Sequence, residues 1–226
     1  MMPADRLVKL PDGITARQGA AMMLQGLTVQ MLLRQVYRVK EGDVILFHAA
    51  AGGVGTIACQ WAKHLGATVI GTVGSPEKAE IARAHGCDHP ILYRDEDFVA
   101  RVREITDGKG VPVVYDSVGK DTFMKSLDCL APFGMMVSYG NASGPPDPIA
   151  PRELMVRGSL YLTRPMLDHY ARDPNDLRTA AAALFDVMAK GAVRPMMDFE
   201  YALADAARAH ADLEARKTTG SVILIP

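Results

Sequence analysis

The residues Ala49-Ala50-Ala51-Gly52-Gly53-Val54-Gly55 have the make-up of a turn that lets a main chain approach a phosphate. Aligned on the pattern G-x-G-x-x-G, Ala50 stands in for the first glycine, while Gly52 and Gly55 hold the other two positions. Gly52 allows the backbone to come close to a pyrophosphate, and Gly55 allows a helix to pack tightly on the strand before it. The free N–H groups at the start of that helix face the anion. Ala51, Gly53 and Val54 complete the turn and are expected to contact the same group. The setting gives the pattern its specificity, because a β-branched run at 44–48 leads directly into it and a helical stretch leads out.

A dinucleotide site that selects a free ribose 2′-hydroxyl carries an Asp or Glu about 20 residues further on, at the end of the second strand. No acid stands there. The stretch Gly71-Thr72-Val73-Gly74-Ser75-Pro76-Glu77-Lys78 instead offers a hydroxyl, a helix N-terminus and an ammonium, a set suited to a 2′-phosphate. Gly74, Ser75 and Lys78 are therefore candidate contacts. A lone lysine is ordinarily a solvated surface side chain, and only its place after the second strand singles out Lys78. Glu77 falls in the first helical turn, where a carboxylate complements the helix dipole. Tyr93 and Arg94, just past the third strand, are placed to flank an adenine.

Val113-Val114-Tyr115-Asp116-Ser117-Val118-Gly119 and Val137-Ser138-Tyr139-Gly140-Asn141 both end strands in small or polar residues. Ligands of open α/β sheets bind at the carboxyl ends of the strands, so Ser117, Tyr139 and Asn141 are expected on the nicotinamide side of the cleft. Asp116 is open between that role and a plain turn or cap. No catalytic residue and no metal site are expected. There is no G-x-S-x-G, no H-E-x-x-H and no Walker lysine, and the histidines at 48, 64, 85, 89, 169 and 210 are scattered. His85 and His89 have a glycine and a helix end between them.

Holding these loops together calls for alternating strands and helices. Candidate strands are 44–48, 68–72, 89–92, 111–115, 135–139, 159–162 and a terminal 221–225. Candidate helices are 56–64, 76–85, 95–106, 121–130, 176–190 and 204–216, preceded by an apolar helix-like run at 16–37. The pattern predicts an α/β fold, a doubly wound parallel sheet (Rossmann fold) with flanking helices. Gly66, Gly86, Gly134 and Gly191 are read as positive-φ residues at element ends, Pro76 as the first residue of a helix, and 141–151 as a surface loop.

The whole composition is that of an ordinary globular chain: 226 residues, 49% hydrophobic and 23% charged. A formal net charge of -1 leaves no footprint for nucleic acid or an anionic membrane. Cys59, Cys87 and Cys129 lack any Cys-x-x-Cys spacing and are read as reduced core thiols, and no apolar run approaches the ~20 residues of a membrane span. The expected location is the cytoplasm.

Taken together, Gln25-Gly26-Leu27-Thr28-Val29, the 49–55 turn, the 71–78 stretch, Tyr115-Asp116-Ser117-Val118-Gly119, Leu162-Thr163-Arg164-Pro165 and Thr219-Gly220-Ser221 resemble the NADPH-dependent quinone oxidoreductases. These are the ζ-crystallin-like, zinc-free branch of the medium-chain dehydrogenase/reductase superfamily. The likeness runs through essentially the whole chain. It implies NADPH as cofactor, a quinone or other small electrophilic substrate, and hydride transfer; as the sequence offers no proton relay and a reduced quinone can take its proton from water, no obligatory general acid is expected from this chain. It also implies a 2′-phosphate site at Ser75, Lys78 and Tyr93, nicotinamide-side contacts at Thr28, Ser117, Asn141 and Arg216, and a homodimer joined through edge strand 159–162. Residues 1–38 are then a connecting segment and helix, and 39–226 the NADP-binding domain with its C-terminal helix and strand. The GroES-like domain of full-length relatives is expected to lie outside the chain. No cysteine precedes Gly26-Leu27-Thr28, where zinc-dependent relatives carry a metal ligand. An NADPH-binding module without turnover and a zinc-free alcohol or enoyl reductase are the alternatives.

Overall fold

The computed structural model describes residues 3–215 and 217–226. After a short 3-10 turn, helix α1 (Ala16–Gln30) starts from a capping box. In it the Thr15 side chain accepts from the Gln18 N–H and the Gln18 side chain accepts from the Thr15 N–H. The apolar run predicted as one helix then widens into a π-helical segment, Met31–Val36. Met31, Leu32 and Leu33 of this segment are all buried in the core. The Tyr115 hydroxyl reaches into the segment and donates to the Leu32 carbonyl at 3.2 Å.

From Val44 strands and helices alternate: β1 (Val44–Phe47), α2 (Gly53–His64), β2 (Thr68–Val73), α3 (Pro76–Ala84), β3 (His89–Leu92) and α4 (Phe98–Ile105). They continue with β4 (Val111–Asp116), α5 (Phe123–Asp128), β5 (Leu130–Ser138), α6 (Pro151–Val156) and β6 (Tyr161–Thr163). These six strands form one parallel sheet in the order β3-β2-β1-β4-β5-β6. The order reverses between β1 and β4, the switch point at which a doubly wound sheet opens a crevice. The sheet is the Rossmann fold expected from the sequence.

Alternate residues of the inner strands feed two cores. Ile45 and Phe47 of β1, Val69 and Val73 of β2, and Val113 and Tyr115 of β4 pack on the face covered by α1, α2 and α8 (Pro174–Ala189). Leu46, Ile70, Val114 and Met136 pack on the other face, with Phe98 and Val102 of α4 and Phe123 and Leu127 of α5. Burial on both faces is why these strands read as apolar runs rather than as alternating patterns. Each such side chain contributes on the order of 1.5–3 kcal/mol. Because α1 packs against α2 and α8, the segment before residue 39 shares the first of these cores.

The edge strand expected at 159–162 is observed at Tyr161–Thr163, since Ser159 takes a left-handed φ of 58°, and three further expectations need correction. The terminal strand β8 (Val222–Ile225) does not join the main sheet; it pairs in parallel with β7 (Phe199–Ala202), which was not foreseen, in a separate two-stranded sheet. With half-exposed residues and no apolar run, Phe-Glu-Tyr-Ala carries little strand signal. Gly134 is not a positive-φ terminator but lies inside β5, where a Cβ would come within 2.8 Å of the Ala131 carbonyl. The start of the helix predicted at 95 moves to Phe98, because Asp97 caps it by accepting from the Val99 N–H at 3.1 Å. The remaining helices are α7 (Leu167–Tyr170) and α9 (Ala206–Glu214).

Candidate functional site

The turn after β1 is shaped by one left-handed residue, Ala49 (φ 55°), whose carbonyl accepts from the Gly52 N–H at 2.9 Å. Gly52 is the N-cap of α2. A Cβ on Gly52 would stand 3.2 Å from the Ala49 carbonyl oxygen, and one on Gly55 would stand 2.3 Å from it. Gly55 therefore permits α2 to lie directly on the turn, as its place in the pattern requires. Ala50, where the pattern has its first glycine, is fully buried. Its methyl is accommodated by Gly71 on β2, whose missing Cβ would lie 2.6 Å from the Ala50 methyl. The loss of a glycine at one position is balanced by a glycine on the neighbouring strand.

This turn forms the floor of a cleft of about 620 Å³ at the carboxyl ends of the strands. The loops after all five strands from β1 to β5 contribute to it: Ala49, Ala51 and Gly52 after β1, Gly74, Ser75 and Lys78 after β2, Tyr93 and Arg94 after β3, Val118 after β4 and Ala142 after β5. Leu213, Ala215 and Thr218 close it from the C-terminal segment. Of the residues proposed from sequence, Ala51, Gly52, Gly74, Ser75, Lys78 and Tyr93 line this one cleft. No Asp or Glu is among its lining residues.

Ser75 is the N-cap of α3 and accepts from the Lys78 N–H at 3.4 Å, with Pro76 in the first turn as expected. The Ser75 hydroxyl also hydrogen-bonds Glu77 and is the main reason that the Glu77 carboxyl titrates below the ordinary carboxylate value. Glu77 thus does more than complement the helix dipole.

The other candidates lie off the lining. Gly53 faces α1, with a would-be Cβ 2.5 Å from the Gln25 amide, and Val54 packs against the core. The Thr28 hydroxyl donates to the Leu24 carbonyl of its own helix at 2.8 Å. Ser117 and Tyr139 share a side-chain hydrogen bond, and burial pushes the Tyr139 phenol above the ordinary tyrosine value while that bond opposes the shift. Asn141 is exposed, and its side-chain carbonyl accepts from Arg164 Nη1 at 3.2 Å. Arg216 lies outside the described residues.

Sequence reasoning missed two features. Arg164 Nη1 also reaches the Gly140 carbonyl at 2.9 Å and the Ser138 carbonyl at 3.2 Å, which ties the end of β5 to β6. His48, Thr72, Thr122 and Ser126 join Asp116 in a buried polar cluster under the cleft. A buried histidine at the end of β1 has no periodicity to flag it, so no signal in the sequence pointed there. Among the described residues no three His, Cys, Asp or Glu side chains converge as metal ligands would.

Comparison with known proteins agrees with this geometry. Residues 53–185 match the family model described as zinc-binding dehydrogenase. A quinone oxidoreductase of Pseudomonas aeruginosa is 55% identical over all of this chain, which spans 70% of that protein. A 2-haloacrylate reductase of a Burkholderia species is 50% identical, again over the whole chain and 69% of the relative. The crystal structure of Escherichia coli quinone oxidoreductase complexed with NADPH superposes with a TM-score of 0.96 at 51% identity, covering 99% of this chain and 69% of that one. A glycine turn at the switch point of a 3-2-1-4-5-6 sheet, matched at this identity over the full chain, means that the chain belongs to the zinc-binding dehydrogenase family, alongside its quinone oxidoreductases.

Proposed function

We propose that the chain binds NADPH in the cleft and is the cofactor-binding portion of a zinc-free NADPH:quinone oxidoreductase that works in the cytoplasm as a homodimer. The observation that carries this reading is the corner of the cleft formed after β2 and β3. It has the Ser75 hydroxyl at a helix N-terminus, the Lys78 ammonium, Tyr93 and Arg94, and no lining carboxylate that would favour a free 2′-hydroxyl. The solved relative at 51% identity is an NADPH complex.

When bound, NADPH supplies hydride to an electron-poor acceptor. The chain's own residues bind and orient it. The turn from Ala51 to Gly55 and the first N–H groups of α2 hold the pyrophosphate, while Gly74, Ser75, Lys78 and Tyr93 hold the 2′-phosphate. Thr28, Ser117, Tyr139, Asn141 and Arg216 serve the nicotinamide side. Residues 1–38 are assigned as connecting segment and helix, and 39–226 as the cofactor domain. The zinc-free reading rests on the residues before Gly26-Leu27-Thr28, none of which is a cysteine. The acceptor is a quinone or an activated alkene, a class that a 2-haloacrylate reductase at 50% identity supports. The dimer reading rests on the exposed apolar edge at Tyr161 and Leu162 of β6, flanked by Met155, Val156 and Phe133.

Parallel calorimetric titrations with NADPH and NADH, followed by a quinone-dependent absorbance assay on the same sample, test the proposal. The expected result is a preference for NADPH that Lys78→Ala abolishes, with steady cofactor oxidation when a quinone is added. Equal affinity for both cofactors would overturn the phosphate assignment. Tight binding without turnover would favour a binding module over an enzyme.

A further inference from the structure

Beneath the floor of the cleft a line of polar side chains connects its two walls. Thr72 Oγ1 lies 2.8 Å from His48 Nδ1, and His48 Nε2 lies 2.9 Å from Ser126 Oγ. Ser126 donates to Asp116 Oδ2 at 2.9 Å, and Thr122 donates to the same oxygen at 2.8 Å. The other carboxylate oxygen, Oδ1, accepts from the backbone N–H groups of Val118 at 2.8 Å and Gly119 at 3.0 Å. His48, Asp116 and Ser126 have no exposed surface, and Thr72 and Thr122 are at most 2% exposed.

A carboxylate accepts only, so the protons of this chain run in one direction. The single hydroxyl proton of Ser126 is committed to Asp116, and Ser126 must therefore accept from His48 Nε2–H. Nδ1 of the neutral ring then accepts from the Thr72 hydroxyl. Burial lowers the pKa of His48 and nearby Asp116 opposes that shift, with its Oδ2 4.0 Å from Nε2. On the remaining side stands the Phe98 ring, 5.2 Å away edge-on, with Lys125 beyond it.

The acceptor end of the chain bears on the cleft directly. Val118 lines the cleft, and its loop is joined to the one after β5. Ala142 N–H donates to the Ser117 carbonyl at 3.0 Å and Ser143 N–H to the Val118 carbonyl at 2.8 Å. The two loops are thus hydrogen-bonded to each other, and the first of them is held to Asp116 through the Val118 and Gly119 N–H groups.

We propose that Asp116 is the positioning residue for the β4–β5 wall of the cofactor cleft, and that the hydrogen-bond chain ending on it keeps the His48 proton on Nε2. The proposal deepens the reading of the cleft as a dinucleotide site and rests on it. In a doubly wound sheet a dinucleotide runs from the β2–β3 corner across the glycine turn towards β4 and β5. Asp116 should therefore matter for the nicotinamide half and little for the adenosine half.

The test measures the affinities of the folded chain for NADPH and for adenosine 2′,5′-bisphosphate, together with the ring ¹⁵N shifts of His48. Asp116→Ala leaves two backbone N–H groups without their acceptor and is expected to raise the NADPH Kd about 10-fold or more, while the bisphosphate Kd stays within about 3-fold. Asp116→Asn keeps an acceptor for those N–H groups but turns donors towards Ser126 and Thr122. It is expected to hold the NADPH Kd within about 3-fold of wild type and to move the His48 proton to Nδ1. An unchanged NADPH Kd in Asp116→Ala, or an equal weakening of both ligands, overturns the positioning role. A wild-type His48 carrying its proton on Nδ1 overturns the ordering. If Asp116→Ala does not fold, Asp116→Ser, too short to reach the Val118 and Gly119 amides, takes its place, and the two tautomer measurements stand without either variant. Failure of wild type to bind either ligand would instead defeat the dinucleotide reading, and the tautomer result would remain.

Discussion

Ser75 is where single residues decide most, because its hydroxyl caps α3, sits in the cleft and holds Glu77. A phosphate arriving at Ser75 meets that carboxylate. Glu77→Gln is accordingly expected to tighten NADPH about threefold at low salt and NADH hardly at all, with the difference shrinking as salt screens an exposed charge. Titrations at two ionic strengths check this, and an unchanged NADPH/NADH ratio would count against it. His48 makes a pH prediction. Its folded pKa lies below the unfolded value of 6.5, so the stability it contributes is complete above that pH and is lost as pH falls through and below it. Thermal melts from pH 7.5 to 5 should show a steeper decline for wild type than for His48→Gln. The thiols give a third test. The neighbouring Cys87 and burial raise Cys59, and burial pushes Cys129 up to about 12. All three cysteines are buried, so a disulfide reagent at pH 8 should react slowly with the native chain and with all three once it is denatured.

At the scale of elements, the contact between α2 and the turn after β1 sets the cleft. The obstacle at Gly55 is backbone, the Ala49 carbonyl and the Ala50 main chain, so no side-chain rotation can relieve it. Gly55→Ala must push α2 off the turn. A cost of about 1–3 kcal/mol in denaturant unfolding is expected, together with loss of measurable dinucleotide binding. Gly26 offers a contrast. The atoms a Cβ would meet there belong to the Leu184 side chain, its two methyls at 2.7 Å, and not to backbone. Gly26→Ala should cost less and leave binding intact.

For the whole molecule, several exposed apolar groups lie along the open edge of the main sheet. Phe133 is 71% exposed, Met155 59% and Tyr161 59%, and β6 has no strand on its outer side. A parallel edge strand with such neighbours invites a second copy. Replacing Tyr161 and Leu162 together by lysine should convert a dimer to a monomer in light scattering while leaving NADPH affinity within about 3-fold. A monomeric wild type at high concentration would remove the dimer reading. No helix among the described residues is long and apolar enough to cross a membrane.

What the sequence determined by itself was the sheet and its glycine turn. Apolar runs bounded by glycines specify β1 to β4 within a residue of their observed ends, since burial on both faces demands apolar runs and local backbone chemistry demands the glycines. The Ser75, Lys78 and Tyr93 corner was legible for the same reason: these residues follow strand ends at fixed offsets. Only tertiary structure decided that β8 pairs with β7, because pairing between strands 20 residues apart depends on where the chain returns and not on local pattern. It alone decided that Gly71 makes room for Ala50, and that His48 and Ser126, 78 residues apart, meet on Asp116. Buried polar groups are satisfied by whichever partners the fold brings near, and no periodicity in the sequence records that choice.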